Sequence, residues 1–117
     1  MLLGSRGERA AARRLKRRGF RIIARNYRCV AGEVDLVCSL GELFVFVEVK
    51  TRADFQTQNP WETVRPAQWR RIEGAARTFM LKYGGNRPYR FDLVTVVWPK
   101  RGGVELEHFE DVYEPVR

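Results

Sequence analysis

The most constraining feature of the sequence is an apolar segment that ends in two charges. Residues 43–50 read Leu-Phe-Val-Phe-Val-Glu-Val-Lys. Successive side chains of a β-strand point to opposite faces, so Glu48 and Lys50 share a face with the two phenylalanines. Both faces are apolar until the charged end, which predicts a strand covered on both sides. Because an unpaired buried charge is costly, a partner must lie close to this end.

The remaining patterns predict one α/β domain spanning residues 1–117, since a chain of this length suits a single core. A helical crossover should place the strand at 89–98 parallel to the one at 43–51, in a central mixed β-sheet flanked by helices. Residues 53–62 lack any pattern and predict a mobile loop. The predicted order is α-β-β-β-α-β-(β), with helices at 4–18 and 66–83 and strands at 20–29, 33–39, 43–51, 89–98 and 104–109.

The second predicted helix has signals at both ends. Pro66 suits its first turn, and Gly84-Gly85 suits its end. Its apolar face is predicted to contain Trp69, Ile72, Ala76, Phe79, Met80 and Tyr83.

Hydropathy predicts a cytoplasmic protein. No apolar run approaches the ~20 residues that span a bilayer, and the first residues lack the apolar core of a signal peptide. The two cysteines, Cys29 and Cys38, lack the spacing of a zinc site, so two buried free thiols are expected.

The net charge of +8 is concentrated at the start of the chain, since residues 1–30 carry +9 and the remainder carries −1. A one-sided field of this kind favours a surface that binds nucleic acid. The alternative is a solvated basic helix face. The candidate phosphate contacts are Arg9, Arg13, Arg14, Arg17 and Arg52.

Asp35 lies on the preceding predicted strand, and the turn between the strands predicts which residue it faces. Gly41-Glu42 suits a two-residue hairpin turn with glycine at the first central position, as type II′ requires. The register that this turn sets brings Asp35 opposite Glu48. Opposed side chains have Cβ atoms roughly 4.5–5.5 Å apart, where two carboxylates repel unless a cation or proton lies between them. The hairpin therefore predicts a diacid beside Lys50.

Glu8, on the first predicted helix, is a third acidic candidate. A helical wheel places it in the middle of the only apolar stripe, next to two alanines and Leu15, with arginines on the remaining arc. A lone acid on that face is costly unless it reaches the diacid. A buried salt bridge to Arg21 or Arg25 would explain the same pattern.

The carboxylates and Lys50 together suit a divalent-metal site. Hard oxygen ligands select Mg²⁺ or Mn²⁺, which activate water and polarise a phosphoryl oxygen. Lys50 would orient the attacking water or stabilise charge on the phosphate. The simpler alternative, that Lys50 only neutralises Glu48, suits an isolated Glu-x-Lys motif. Asp35 and Glu8 together favour the metal site.

Asp35 followed by Glu48-x-Lys50 at the end of a hydrophobic strand resembles the PD-(D/E)xK nuclease core and is similar to archaeal Holliday-junction resolvases. More closely, the chain resembles the small bacterial YraN-type proteins, an uncharacterised family of predicted endonucleases. The matching segments run in the expected order over most of residues 4–97. They are Gly7-Glu8-x-x-Ala11-Ala12, Gly19-Phe20-x-Ile22-Ile23, Arg25-Asn26-Tyr27-Arg28, Gly32-Glu33-Val34-Asp35-Leu36, Phe46-Val47-Glu48-Val49-Lys50-Thr51-Arg52 and Arg90-Phe91-Asp92.

This resemblance implies a restriction-endonuclease-like fold, in which Glu8, Asp35 and Glu48 surround Mg²⁺ or Mn²⁺ and Lys50 is the catalytic lysine. The implied activity is metal-dependent endonucleolytic hydrolysis of DNA, including branched DNA. Analogy with junction-cutting enzymes also suggests a homodimer.

Two positions depart from the family pattern. Val34 replaces the proline of the "PD" element, and Gln68 stands where a lysine is expected. Gln68 keeps open a catalytically inactive nucleic-acid-binding module on the same fold. An adaptor that binds acidic proteins through its arginine face is a further alternative.

Other candidates have weaker signals. Glu33 would ligate the metal, hold Lys50 or serve a structural role. Asp92 is predicted to be an ion-pair partner rather than a ligand, and His108 to be structural or exposed. Phe55 and Trp61, on the predicted loop, would stack on bases or pack between subunits.

Overall fold

The structure, a computed structural model, describes residues 3–52, 60–98 and 102–115. The predicted element order is confirmed. Within these residues no helix is long and apolar enough to cross a membrane. The elements are α1 (Leu3–Arg17), β1 (Arg21–Cys29), β2 (Gly32–Leu40), β3 (Leu43–Arg52), a 3₁₀ turn (Pro60–Thr63), α2 (Pro66–Phe79), a π-helical turn (Met80–Gly84), β4 (Tyr89–Val97) and β5 (Glu105–Phe109).

The loop predicted at 53–62 falls mostly outside the described residues. Residues 53–59, including Phe55, are not described, and neither is the side chain of Trp61. The end of the predicted loop belongs to the 3₁₀ turn that leads towards α2.

The strands form one five-stranded sheet in the order β1-β2-β3-β4-β5. β3 and β4 are parallel, as the helical crossover predicted, and the other neighbours are antiparallel. The mixed sheet and its two helices make the α/β fold restriction-endonuclease-like.

β3 is buried on both faces because a helix covers each side of the sheet. Phe44 and Phe46 pack into a core with α2, whereas Val45, Val47 and Val49 pack into a second core with α1. The apolar character of both faces thus follows from the central place of β3 in the sheet.

α1 packs on the sheet through the predicted stripe, and its approach is close at Gly7. Ala11, Ala12 and Leu15 are buried, while most arginines of the helix are exposed. A Cβ atom at Gly7 would lie 1.9 Å from the Thr51 hydroxyl oxygen, so only glycine permits this approach to the end of β3.

The second helix differs from its prediction in its last turn. The prediction of one regular helix to Tyr83 is wrong there, because the α-helix ends at Phe79 and a π-helical turn follows. This wider turn changes the angular position of later residues. Tyr83, predicted on the apolar face, is consequently 65% exposed, although its ring still contacts Phe79.

Cys38 is buried and free as predicted, but the expectation of a second buried thiol is wrong. Cys29 is free and half-buried, because it ends the edge strand β1.

Candidate active site

Asp35 and Glu48 lie side by side at the end of the β2–β3 hairpin. Gly41 has φ +60°, and the register runs from Leu40↔Leu43 to Leu36↔Val47, as the predicted turn requires. Asp35 is the next residue of β2, and its Oδ2 accepts a hydrogen bond from the backbone N–H of Val49 at 2.8 Å. The side chain of Asp35 thus binds backbone beyond the last paired residues and holds its carboxyl next to Glu48.

The face of Asp35 does not follow from simple alternation. Val34 and Val37 both pack on the α2 side of the sheet, whereas Leu36 packs on the α1 side. Alternation therefore slips at Asp35. In β1, Asn26 has φ +52°, a left-handed conformation that asparagine tolerates, between residues paired with Val34 and Leu36. Asp35 is half-buried here and contacts Glu8 of α1 as well as Glu48 of β3.

The pKa of Glu48 is shifted far from its ordinary value. It is 5% exposed, and this burial raises the pKa of Glu48 to about 9, helped by the charge of Asp35 and a hydrogen bond between the two carboxyls. Lys50 and Gln68 act in the opposite direction. The raised pKa favours the protonated form of Glu48, and a proton shared by the two carboxyls lowers their repulsion as a cation would.

Gln68, near the start of α2, links Lys50 and Glu48. The Lys50 ammonium donates to its side-chain oxygen at 3.0 Å, and its side-chain nitrogen donates to Glu48 Oε2. Lys50 Nζ lies 3.7 Å from the same Glu48 oxygen. Sequence reasoning treated Gln68 only as a departure from a family pattern. The signal for its contact was its place in the first turn of the crossover helix that returns over the end of β3.

Glu8 reaches Asp35 from the α1 side, in agreement with its predicted inward orientation. Burial raises the pKa of Glu8, and so do the charge of Asp35 and a hydrogen bond with it, while Arg25 and Arg28 act to lower it. The structure gives no contact between Glu8 and Glu48. Asp35 is thus the central acid, with one neighbouring carboxyl on each side.

A cavity of about 60 Å³ lies between the diacid and α2. Because each water in liquid occupies roughly 30 Å³, it suits a partly hydrated ion rather than an organic ligand. No set of three or more His, Cys, Asp or Glu side chains in the described residues is close enough to hold a metal ion. Asp35 and Glu48 still fit Mg²⁺, which is usually bound by one or two carboxylates together with waters and substrate phosphates. The third ligand, Glu8, stays a prediction.

Of the roles predicted for Glu33, the contacts in the structure match the structural one. Its carboxylate is half-exposed and forms ion pairs with Arg28 at 3.4 Å and Arg71 at 4.0 Å. It also lines the small cavity beside the diacid. Glu33 therefore holds the guanidinium groups of Arg28 and Arg71 at the edge of the site.

The predicted phosphate-contacting arginines differ in their distance from the diacid. Arg9 lines a cleft with Glu8 and Asp35. Arg13 and Arg17 are exposed further along α1, and Arg14 is half-buried there. Arg52 is half-buried at the end of β3, two residues beyond Lys50. Their binding to nucleic acid stays a prediction.

Asp92 belongs to a separate buried ion-pair network, which confirms its predicted role. It is fully buried, and its carboxylate contacts Arg90 Nε at 3.0 Å and His108 Nε2 at 2.7 Å. The backbone N–H of Asp111 donates to it at 2.9 Å. The side chain of His108 is 1% exposed, packs edge-on against Phe20 and is structural, one of the two roles predicted for it.

The strand order and the two flanking helices define a restriction-endonuclease-like α/β protein, with its candidate site at the end of the β2–β3 hairpin. The chain belongs to the uncharacterised protein family UPF0102, whose sequence model matches residues 7–96. This confirms the YraN-type resemblance.

Several relatives match nearly the whole chain. A UPF0102 protein of Anaeromyxobacter dehalogenans is 45% identical over 113 residues, which cover 96% of this chain and 84% of the relative. A UPF0102 protein of Streptomyces griseus is 41% identical over 112 residues, covering 94% of each chain. A third, from Geotalea uraniireducens, is 40% identical over 113 residues, covering 96% of this chain and 89% of the relative.

Proposed function

We propose that this protein is a Mg²⁺- or Mn²⁺-dependent endonuclease that hydrolyses DNA phosphodiesters. The observation that carries the proposal is the hydrogen-bonded pair of Asp35 and buried Glu48 beside the Lys50 ammonium, near the end of β3. Two adjacent carboxyls, one of them buried, repel each other and destabilise the folded state. Binding a cation would remove this cost, which gives the pair a functional explanation.

A divalent cation bound here would lower the pKa of a water molecule and polarise a phosphoryl oxygen. Asp35 and Glu48 would hold it, with Asp35 fixed by the Val49 N–H. Lys50, 27% exposed and oriented by Gln68, would position the attacking water or stabilise charge that develops on the phosphate. These groups come from three elements, β2, β3 and α2, so the fold itself sets their spacing.

The basic surface supports a polyanionic substrate. Arg13 and Arg17 are exposed on α1, and Arg9 connects this surface to the cleft that contains Glu8 and Asp35. Phosphate contacts of this kind release counterions, so binding should weaken steeply as the salt concentration rises. Sequence specificity is not part of the proposal, because backbone contacts carry no base information.

A second candidate function is a catalytically inactive nucleic-acid-binding module. The contacts of Gln68 favour it, because its amide already binds both Glu48 and Lys50 and would compete with a cation and a water for these groups. This candidate predicts nucleic-acid binding that survives Glu48→Ala and Lys50→Ala, and no cleavage in Mn²⁺.

The test is a cleavage assay with duplex, single-stranded and four-way-junction DNA in Mg²⁺, Mn²⁺ and EDTA. The proposal expects cleavage in the metal-containing reactions, none in EDTA, and loss of activity in Asp35→Asn. Cleavage that persists in EDTA or in Asp35→Asn would overturn the metal mechanism. Binding without cleavage of any substrate would favour the inactive module.

A further inference from the structure

A second and larger cleft opens on the other side of Asp35, towards α1. It has a volume of about 500 Å³ and is lined by Ser5, Glu8, Asn26, Arg28, Glu33, Val34, Asp35 and Val49. A neighbouring cleft of about 190 Å³ shares four of these residues and adds Arg9, Arg25 and Leu36. The two form one continuous groove between α1 and the β1–β2 hairpin.

Acidic and basic side chains line the same groove. Glu8 and Asp35 line both clefts, and Asp35 is also one of the two acids of the candidate active site. Arg28 lines the larger cleft and Arg25 the smaller one, and both belong to β1. A phosphodiester in the groove would therefore lie near arginines and near the carboxylates that would hold the cation.

Arg28 is available for such a contact. Its side chain is 75% exposed, and its described ion pair is the 3.4 Å contact with Glu33, which is itself 53% exposed. Exposed ion pairs of this kind contribute little, so a phosphate can compete for the guanidinium. Glu33 would still hold Arg28 at the edge of the groove before a ligand arrives.

Asn26 contributes a polar group to both parts of the groove. Its backbone is in the left-handed region, with φ +52°, and its exposed side chain lines both clefts. Such a conformation is uncommon outside glycine, and it recurs at functional sites. The side-chain amide supplies both donors and an acceptor beside Arg25 and Arg28.

We propose that this groove binds one nucleotide unit of a locally unpaired strand, with its phosphate against Arg25, Asn26 and Arg28. The volume lies within the ~300–1,000 Å³ of small-ligand sites, which suits one nucleotide unit and is too small for the full cross-section of a duplex. The nucleotide would then adjoin the scissile phosphate at Asp35. The proposal deepens the nuclease function and rests on it, and it identifies single-stranded segments as the part of the substrate that the site takes up.

The test is binding of a fluorescent single-stranded hexanucleotide, measured by anisotropy in Ca²⁺ and in EDTA. Arg28→Ala should raise its dissociation constant at least about fivefold and lower the salt slope by about 1. Asn26→Gly keeps the left-handed backbone and removes the amide, so it should raise the dissociation constant about threefold. The matched control is Arg21→Ala, which removes the same charge from an exposed position on the same strand and should change binding less than twofold.

Binding of a blunt duplex of the same sequence should be equally sensitive to Arg28→Ala and Arg21→Ala. Equal losses of hexanucleotide binding in these two variants would overturn the proposal, and so would failure of the wild type to bind the hexanucleotide. These readouts do not require cleavage. Hexanucleotide binding that depends on Arg28, in a protein that cuts nothing, would support the groove and overturn only the nuclease function.

Discussion

Replacing Glu48 with glutamine should change how stability depends on pH. The pKa of Glu48 rises from 4.5 to about 9 on folding, chiefly because of burial and the charge of Asp35. The folded state therefore holds this proton more tightly than the unfolded state. The tighter binding of this proton at Glu48 contributes in full to the free energy of unfolding below about pH 4.5. This contribution is lost as the pH rises towards about 9. Glu48→Gln keeps a neutral side chain of similar shape and has no proton to lose.

The size of the effect follows from proton linkage. One pKa unit corresponds to 1.36 kcal/mol, so the wild type should lose up to about 3 kcal/mol relative to Glu48→Gln between pH 5 and pH 7. Titrating groups far from Glu48 contribute to both proteins and largely cancel in the difference.

Urea titrations in EDTA, followed by tryptophan fluorescence, measure this difference. A difference that stays constant from pH 5 to pH 8 would refute the assignment of a buried, protonated Glu48. Excess Mg²⁺ provides a second arm, because a cation that binds the ionised pair should stabilise the wild type more at pH 8 than at pH 6.

Three further changes test other parts of the molecule. Gly7→Ala should lower the free energy of unfolding by about 1–3 kcal/mol, because the new Cβ would overlap the Thr51 hydroxyl; an unchanged urea midpoint would contradict the close approach. Lys50→Ala should reduce the single-turnover cleavage rate about 10²–10⁴-fold with DNA affinity nearly unchanged, and a rate within threefold of wild type would exclude the catalytic lysine. His108→Ala should destabilise the fold by about 3 kcal/mol by removing a partner of buried Asp92, as thermal unfolding would report.

The sequence predicted the architecture well wherever a periodic pattern and a turn signal agreed. The two apolar faces of β3 and the Gly41-Glu42 turn together determine the strand order near the site and its register, and the structure has both. The inward position of Glu8 followed from the helical stripe in the same way.

Other features depend on geometry that local patterns do not encode. The slip of alternation at Asp35 comes from an irregularity shared with Asn26 of the neighbouring strand. The contacts of Gln68 with Lys50 and Glu48 depend on how α2 returns over the sheet. The π-helical turn after Phe79 was not predicted, because no periodic pattern distinguishes so short a turn from a regular α-helix.

The central claim, that Asp35 and Glu48 form a divalent-cation site, is tested most directly by titrating Mn²⁺ into the protein and counting bound ions by electron paramagnetic resonance. The account predicts saturable Mn²⁺ binding in the wild type that tightens from pH 6 to pH 8 as Glu48 loses its proton, and that is lost in Asp35→Asn while the variant remains folded. Equal Mn²⁺ binding by Asp35→Asn, or no binding by the wild type at pH 8, would contradict it.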